Sequence, residues 1–427
     1  MKSFRSFWKK VSQETLNGYC IMMEGLFNTL GHDIIGMTTI VPLFLNHLGA
    51  SMEAIGSIST LQSVFGAIMP LLCGGVVAAA GSKKKMSMII NGIARTAYLL
   101  IPLGILLGLS PTAELVVFFG VIVVSNIGQP ITGLTWNYLL GDCVPAERRG
   151  KLLGTLYALS GVITFLSSAV IKGIRSSPLL DESSQYAAIF ALGGALMACS
   201  VLCYIPLRER SVSSGTREQR NPRNYIRELL NCYRGKLYRR VLLANVFSTL
   251  ALSVNAFFFV FAQNTLLLSS DQVSNLIIIQ TLGLMIGGMV TGRISDRLGL
   301  KRMLQTIEGL GVLVPVTGLA AMHTGAPFLC AAVAVFIIGF TKSGLIGYQA
   351  YILEIVPTEK SVYHIVARSL TLLPFSFAGI GIGALIARFS NAPAFVLQMA
   401  LGVAAFAAAS TLKLTVYKKK DAAAQAA

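Results

Sequence analysis

Residues 292–302 read Gly292-Arg-Ile-Ser-Asp296-Arg297-Leu-Gly299-Leu-Lys301-Arg302, a charged stretch between two long apolar runs. Charge that must face water, set between segments that need not, marks a loop joining membrane spans, and its excess of Arg and Lys marks the cytoplasmic side. Working outward from this loop, the chain resolves into about twelve apolar runs, at about 20–46, 54–80, 86–108, 114–139, 151–172, 185–206, 240–267, 272–294, 303–322, 327–353, 362–388 and 392–416. Each is near the roughly 20 residues that an α-helix needs to cross a bilayer. They are too long and too continuously apolar for the alternating strands of a membrane barrel. The expected fold is an all-α membrane protein.

Composition agrees. Apolar residues make up 54% of the chain and charged residues 12%, against roughly 25% charged residues in a soluble domain. The 41 glycines suit close helix packing in lipid. Lys83-Lys84-Lys85, Arg148-Arg149 with Lys151, Arg293 to Arg302 and Lys418-Lys419-Lys420 fall in even-numbered gaps or the tail, while the odd gaps hold little beyond Lys172, Arg175 and Arg388. Both termini are therefore expected in the cytoplasm and the chain in the cytoplasmic membrane. The net charge of +17 is scattered over many short loops, which argues against a nucleic-acid partner. Residues 1–10 are basic with Phe4, Phe7 and Trp8 interleaved, and read as an interfacial segment on the inner leaflet. The apolar run that follows is too long for the core of a cleaved signal and lacks a small-residue cleavage site. Seven dispersed cysteines without a C-x-x-C pair imply no disulfide and no metal, and no cofactor is expected.

The halves are repeats. Val144-Pro145-Ala-Glu-Arg148 recurs as Val356-Pro357-Thr-Glu-Lys360, an offset of 212 residues, and Gly81-Ser-Lys-Lys84 recurs as Gly299-Leu-Lys-Arg302, an offset of 218. Two loops recurring six spans apart point to duplication of a six-helix unit. The expected organisation is a cytoplasmic basic segment 1–19, a six-helix bundle 20–206, a basic central loop 207–239, a second six-helix bundle 240–416 and a cytoplasmic tail 417–427.

The pattern of the 292–302 loop resembles the signature loop of major facilitator superfamily transporters, and twelve spans, a basic central loop and the repeat extend that resemblance over the whole chain. Asp142 to Gly150 also looks like the family's loop between spans four and five. The resemblance implies that Asp296 caps a neighbouring helix and that Arg297 joins a charge cluster latching the halves together. Gly292, Gly299, Lys301 and Arg302 complete that latch. Topology and solubility alone are the plainer reading of the same loop. The sequence also departs from the family pattern. Ala78 and Ala79 stand where an Asp-Arg pair is expected after span two, so an N-terminal latch is doubtful. Residues Ser125 to Gln129 lack the Arg that many proton-driven members carry in span four, and Gly161 to Ser168 lacks the Pro common in drug antiporters. Both absences count against a multidrug exporter.

A charge at the bilayer centre costs about 2.5–3.5 kcal/mol on insertion scales, so it should face a wet cavity or a partner. Asp33 lies near the middle of span one, on an arc with Asn28, Thr29 and His32. The resemblance implies that spans one, four, seven and ten line a central cavity, and each has a polar face. Span four offers Asn126, Gln129, Gly133, Trp136 and Asn137; span seven offers Asn245, Ser248, Asn255 and Gln263; span ten offers Lys342 and Gln349. For each amide, an interhelical hydrogen bond and a substrate contact remain open readings. Asp33 is expected to bind a coupling proton or other cation, and Lys342 an anionic group of the substrate; a structural salt bridge between them is the alternative. His32 is expected to be neutral and hydrogen-bonded, or to relay protons. Arg95 is too deep in span three to reach water and needs a partner, with Asp33 a candidate. Glu24 and Arg368 are shallower and expected to reach an interface. Pro42, Pro130, Pro315 and Pro374 are expected to bend their spans.

No phosphate loop, His-Glu-x-x-His or Gly-x-Ser-x-Gly is present, so neither ATP-driven transport nor hydrolysis is expected. The function expected is a monomeric secondary transporter moving a small organic solute across the bilayer by alternating access, driven by a proton gradient. Lys342 favours an anionic solute; Trp136, Phe258 and Phe259 would accept an aromatic or amphipathic one. A proton-coupled exporter of amphiphiles and a non-transporting receptor or assembly protein are the alternatives.

Overall fold

A computed structural model of the chain describes residues 13–209, 222–342, 344, 347–356 and 361–414. The expected interfacial segment 1–10, residues 210–221 of the central loop and the C-terminal tail lie outside the described residues. Among the described residues all regular structure is helical. Among the described residues, nine segments are long and apolar enough to cross a membrane: Lys83–Leu106, Pro111–Cys143, Glu182–Leu202, Lys236–Asn264, Ser270–Leu298, Leu300–His323, Pro327–Ile355, Tyr363–Phe389 and Asn391–Ser410. They are spans three, four, six and seven to twelve. Spans one, two and five are the long helices Gln13–Ile35 continued by Ile40–His47, Met52–Ala79 and Ala146–Arg175. Span one begins at Gln13, so the seven residues before the expected start are helical too.

Local chemistry sets the ends of these helices. Ser110 accepts a hydrogen bond from the Ala113 amide, and Pro111 takes a first-turn position where its missing N–H costs nothing. Asp181 accepts from the Ser184 amide at the start of span six, and Ser269 with Gln272 forms a reciprocal capping box at the start of span eight.

In three spans proline sets a break one turn before its own position, whereas span seven relaxes to a 3₁₀ stretch at Ser253–Phe257 with no proline beside it. Span one is interrupted at 36–39 and resumes at Ile40, two residues before Pro42. Span three relaxes to a 3₁₀ turn at Ala97–Leu99 before Pro102, and span nine breaks at Val312 before Pro315. The pyrrolidine ring clashes with the carbonyl four residues back, so the preceding turn gives way. Pro374 lies in the 3₁₀ stretch Leu373–Phe377, whereas the helix Pro111–Cys143 runs on through Pro130. In span one Gly36 supplies the backbone conformation the break needs, at φ +61°.

The chain divides into two compact units: Met1–Ala50 with Leu61–Glu218, and Ser51–Thr60 with Gln219–Ala427. In the first unit, span one packs on spans six and five, and span three on span four. Cys20, Ile21, Leu139, Leu140, Tyr204 and Leu207 form a buried cluster at one end. In the second unit, spans eight and ten approach so closely that Gly283 and Gly287 lie against the backbone of Phe336 and Phe340, and Gly339 against the Gln280 carbonyl. This is the small-residue contact expected between helices in lipid. Spans seven and nine to eleven enclose a cluster around Tyr238, Leu304, Ile307, Tyr348 and Tyr351. The helix Pro222–Cys232, from the central loop, packs on span eleven, where Tyr233 donates to the Ala367 carbonyl at 2.9 Å.

Candidate functional site

The break in span one creates the candidate site of the first unit. Asp33 occupies the last turn before Gly36, half-buried, and its carboxylate accepts a hydrogen bond from the Thr164 hydroxyl of span five at 2.5 Å. Carbonyls at the end of the interrupted helix add negative potential to the same place. One turn earlier, Asn28 presents a buried Oδ1 that has no hydrogen-bond partner among the described residues. His32, next to Asp33, is half-buried. A carboxylate, its hydroxyl partner and a helix C-terminus together suit a proton or another cation.

In span four the amides of two expected residues are held within the helix. Asn126 donates to the Ile122 carbonyl and Asn137 to the Gly133 carbonyl, both at 2.9 Å and both within their own helix. Gln129 is half-buried and Asn137 exposed. Trp136 packs against the cluster of Cys20, Leu139 and Tyr204, so its indole serves the end of the first unit.

Arg95 does not pair with Asp33. Its guanidinium lies 2.7 Å from Glu24, both side chains are almost wholly buried, and it donates to the Ser200 hydroxyl. Glu24 therefore does not reach an interface: it is the partner that a deeply buried arginine demands. The pair ties spans one, three and six together.

In the second unit, Lys342 is exposed at the end of the helix Pro327–Lys342, and Gln349 is half-buried. Asn245 accepts from Arg368 Nε at 2.6 Å, so this arginine too is bound inside its unit rather than at an interface. Asn255 accepts from Gln398 of span twelve at 2.7 Å, and the Gln263 oxygen is buried without a partner among the described residues. Phe258 and Phe259 are each 1% exposed, with Phe258 packed against Phe261 and Phe395, and present no face to a solute. Asp33 belongs to the first unit and Lys342 to the second.

Of the expected latch, Gly292, Asp296, Arg297 and Arg302 are exposed and Lys301 half-buried. Gly299 turns the chain from span eight into span nine at φ +84°. No hydrogen bond joins Asp296 to another helix among the described residues, and 357–360 lie outside them. The first unit, which lacks the Asp-Arg pair, has a different tie. The Glu209 carboxylate accepts from the Ser82 hydroxyl and the Lys84 amide, each at 2.7 Å, at the N-terminus of span three. The Lys84 ammonium in turn donates to the carbonyls of Ile205 and Leu207. Glu209 escaped the sequence reading because nothing in one dimension places it 125 residues back, beside Lys84.

Twelve helical spans in two units, each holding acids, bases and amides within apolar helices, define a multi-pass membrane protein of the carrier class. The chain belongs to the Major Facilitator Superfamily, whose sequence profile matches residues 25–363. It is thus a secondary transporter rather than an enzyme, with a small-molecule substrate. Solved structures share the fold at low identity. A point variant of the nucleoside transporter NupG is 14% identical with a TM-score of 0.73, covering 93% of this chain and 100% of its own. A D-xylose–proton symporter is 17% identical with a TM-score of 0.67, covering 96% and 99%. A bacterial homologue of the iron transporter ferroportin is 13% identical with a TM-score of 0.68, covering 92% and 98%. No curated protein matches the chain in sequence.

Proposed function

We propose that this transporter carries a small organic solute, with an anionic group, across the cytoplasmic membrane by alternating access, coupled to protons. Both termini face the cytoplasm and the working unit is a monomer. Asp33 takes the coupling proton; Lys342 binds the anionic group; Asn28 and His32 order solute or water beside Asp33. Gly292, Asp296, Arg297, Gly299, Lys301 and Arg302 act as a conformational latch. The observation that carries the reading is the setting of Asp33: a carboxylate in the last turn before the break of a transmembrane helix at Gly36, hydrogen-bonded to Thr164. Titratable groups at the break of a discontinuous helix are where such repeats bind coupling ions.

The solutes named for the solved relatives, a nucleoside, a pentose and iron, are chemically unlike, so the fold does not choose among them. A thermal-shift screen of the purified protein against organic acids, organic phosphates, nucleosides, sugars and amphiphilic cations, at two pH values, tests the reading, because a bound ligand stabilises the folded state. An anionic solute is expected to raise the melting temperature in wild type and not in Lys342→Gln. Stabilisation by amphiphilic cations alone, lost in Asp33→Asn and kept in Lys342→Gln, would instead identify an exporter of amphiphiles.

A further inference from the structure

Span nine carries a buried carboxyl that the sequence reading passed over. Glu308 lies eight residues in from Leu300, about 12 Å along the helix, and is 6% exposed. The Tyr348 hydroxyl of span ten donates to it at 2.8 Å, and Ser248 of span seven is its second hydrogen-bonding neighbour. Beside it is a cavity of about 20 Å³, lined also by Asn255, Thr341 and Gln398. That is room for one water. Gln398 is 4% exposed, gives its Nε2 to Asn255, and is left with a buried Oε1 that has no donor among the described residues. A buried acceptor on the wall of a water-sized cavity calls for a donor inside it.

The repeat sharpens the point. Pro102 and Pro315 stand 213 residues apart at matching breaks of spans three and nine, and Arg95 and Glu308 each lie seven residues before them. In the first unit this position is an arginine neutralised by Glu24 at 2.7 Å. In the second it is an acid facing only hydroxyls and amides. Arg368 of span eleven donates to Asn245, and its charge bears on Tyr238 and Tyr348. The charged groups of span eight, Asp271, Arg293, Asp296 and Arg297, are all exposed, and span twelve presents Gln398. A carboxylate buried without a cation is costly by several kcal/mol. A neutral carboxyl is not, and its proton supplies, directly or through a water, the donor that Gln398 lacks.

We propose that Glu308 is a proton site of the second unit, its carboxyl holding a proton beside one water while the bundle is closed and releasing it to water when solvent enters. The proposal rests on the proton-coupled reading for its use in transport; the titration itself is read without any solute. Infrared difference spectra of the full-length protein in lipid, taken between acid and alkaline buffer, test it. A carboxylic-acid carbonyl band is expected to disappear on alkalinisation in wild type and to be missing from the difference spectrum of Glu308→Gln. In Tyr348→Phe the band should move to higher frequency, since a carbonyl that loses a hydrogen bond vibrates faster; that shift carries the test if Glu308→Gln does not fold. A band that survives in Glu308→Gln, a wild-type band indifferent to pH, or one abolished by sodium at constant pH would each overturn the proposal. Proton movement driven by solute is a separate measurement, so its failure would leave this titration standing.

Discussion

Arg95 keeps its charge inside the first unit because Glu24 stands 2.7 Å away, with Ser200 as a further acceptor. Removing one member of such a pair strands the other. Arg95→Met is expected to cost about 3–5 kcal/mol, read as a large drop in the melting temperature of the purified protein. The double variant with Glu24→Gln should recover most of that loss, because two neutral side chains replace the stranded charge. Asp296 is the opposite case. It is exposed, so Asp296→Asn should leave the melting temperature unchanged while slowing transport, if the latch reading is right; unchanged transport rates would reduce this loop to a topology signal. The buried charges also show what one dimension conveys. An acid or base inside an apolar run was legible, which is how Asp33 and Arg95 were found. Its partner was not, because Glu24 and Arg95 meet only when spans one and three pack. Glu308 carried the same signal as Asp33 and was hidden by the amphipathic start of span nine. Phe258 and Phe259, each 1% exposed, fill the space between helices, and in sequence an aromatic on a polar helix face looks the same whether it does that or lines a cavity.

At the scale of the helix, the spans were readable almost end to end, since each hydrophobic run is bounded by a cap, a glycine or a charge. The breaks were readable only in part. Proline announces that a helix yields, but the yielding falls on the preceding turn, and in span one it needed Gly36 at φ +61° as well. Gly36→Ala should destabilise by about 1–2 kcal/mol, from the left-handed backbone alone, with a further cost because its methyl would meet the Thr39 hydroxyl. Gly339→Ala tests a different device. Its methyl would meet the Gln280 carbonyl, which is backbone and cannot rotate away. Overpacking there should cost about 1–3 kcal/mol and separate spans eight and ten. Both losses are measured by thermal unfolding in detergent; Gly339→Ala melting as wild type would contradict the close approach of those spans.

At the scale of the whole chain, the duplication written in two short loops reappears in the breaks at Pro102 and Pro315 and in the matched positions of Arg95 and Glu308. The halves share a plan and differ in charge at that position, an arginine paired with Glu24 in one and an acid among hydroxyls in the other. The orientation proposed above rests on Lys and Arg in the even-numbered gaps. Reporter fusions active only in the cytoplasm should therefore be active at both ends of the chain, and inactive when placed in the gap that holds Lys172 and Arg175; activity at one end only would reverse the topology. The proposed transport cycle turns on proton coupling through Asp33. It is tested most directly in proteoliposomes that enclose a pH-sensitive dye, with the solute found by thermal shift added outside. Wild type should move protons with the solute, and Asp33→Asn should still exchange labelled for unlabelled solute while moving none. Proton movement in Asp33→Asn equal to that of wild type would contradict the account.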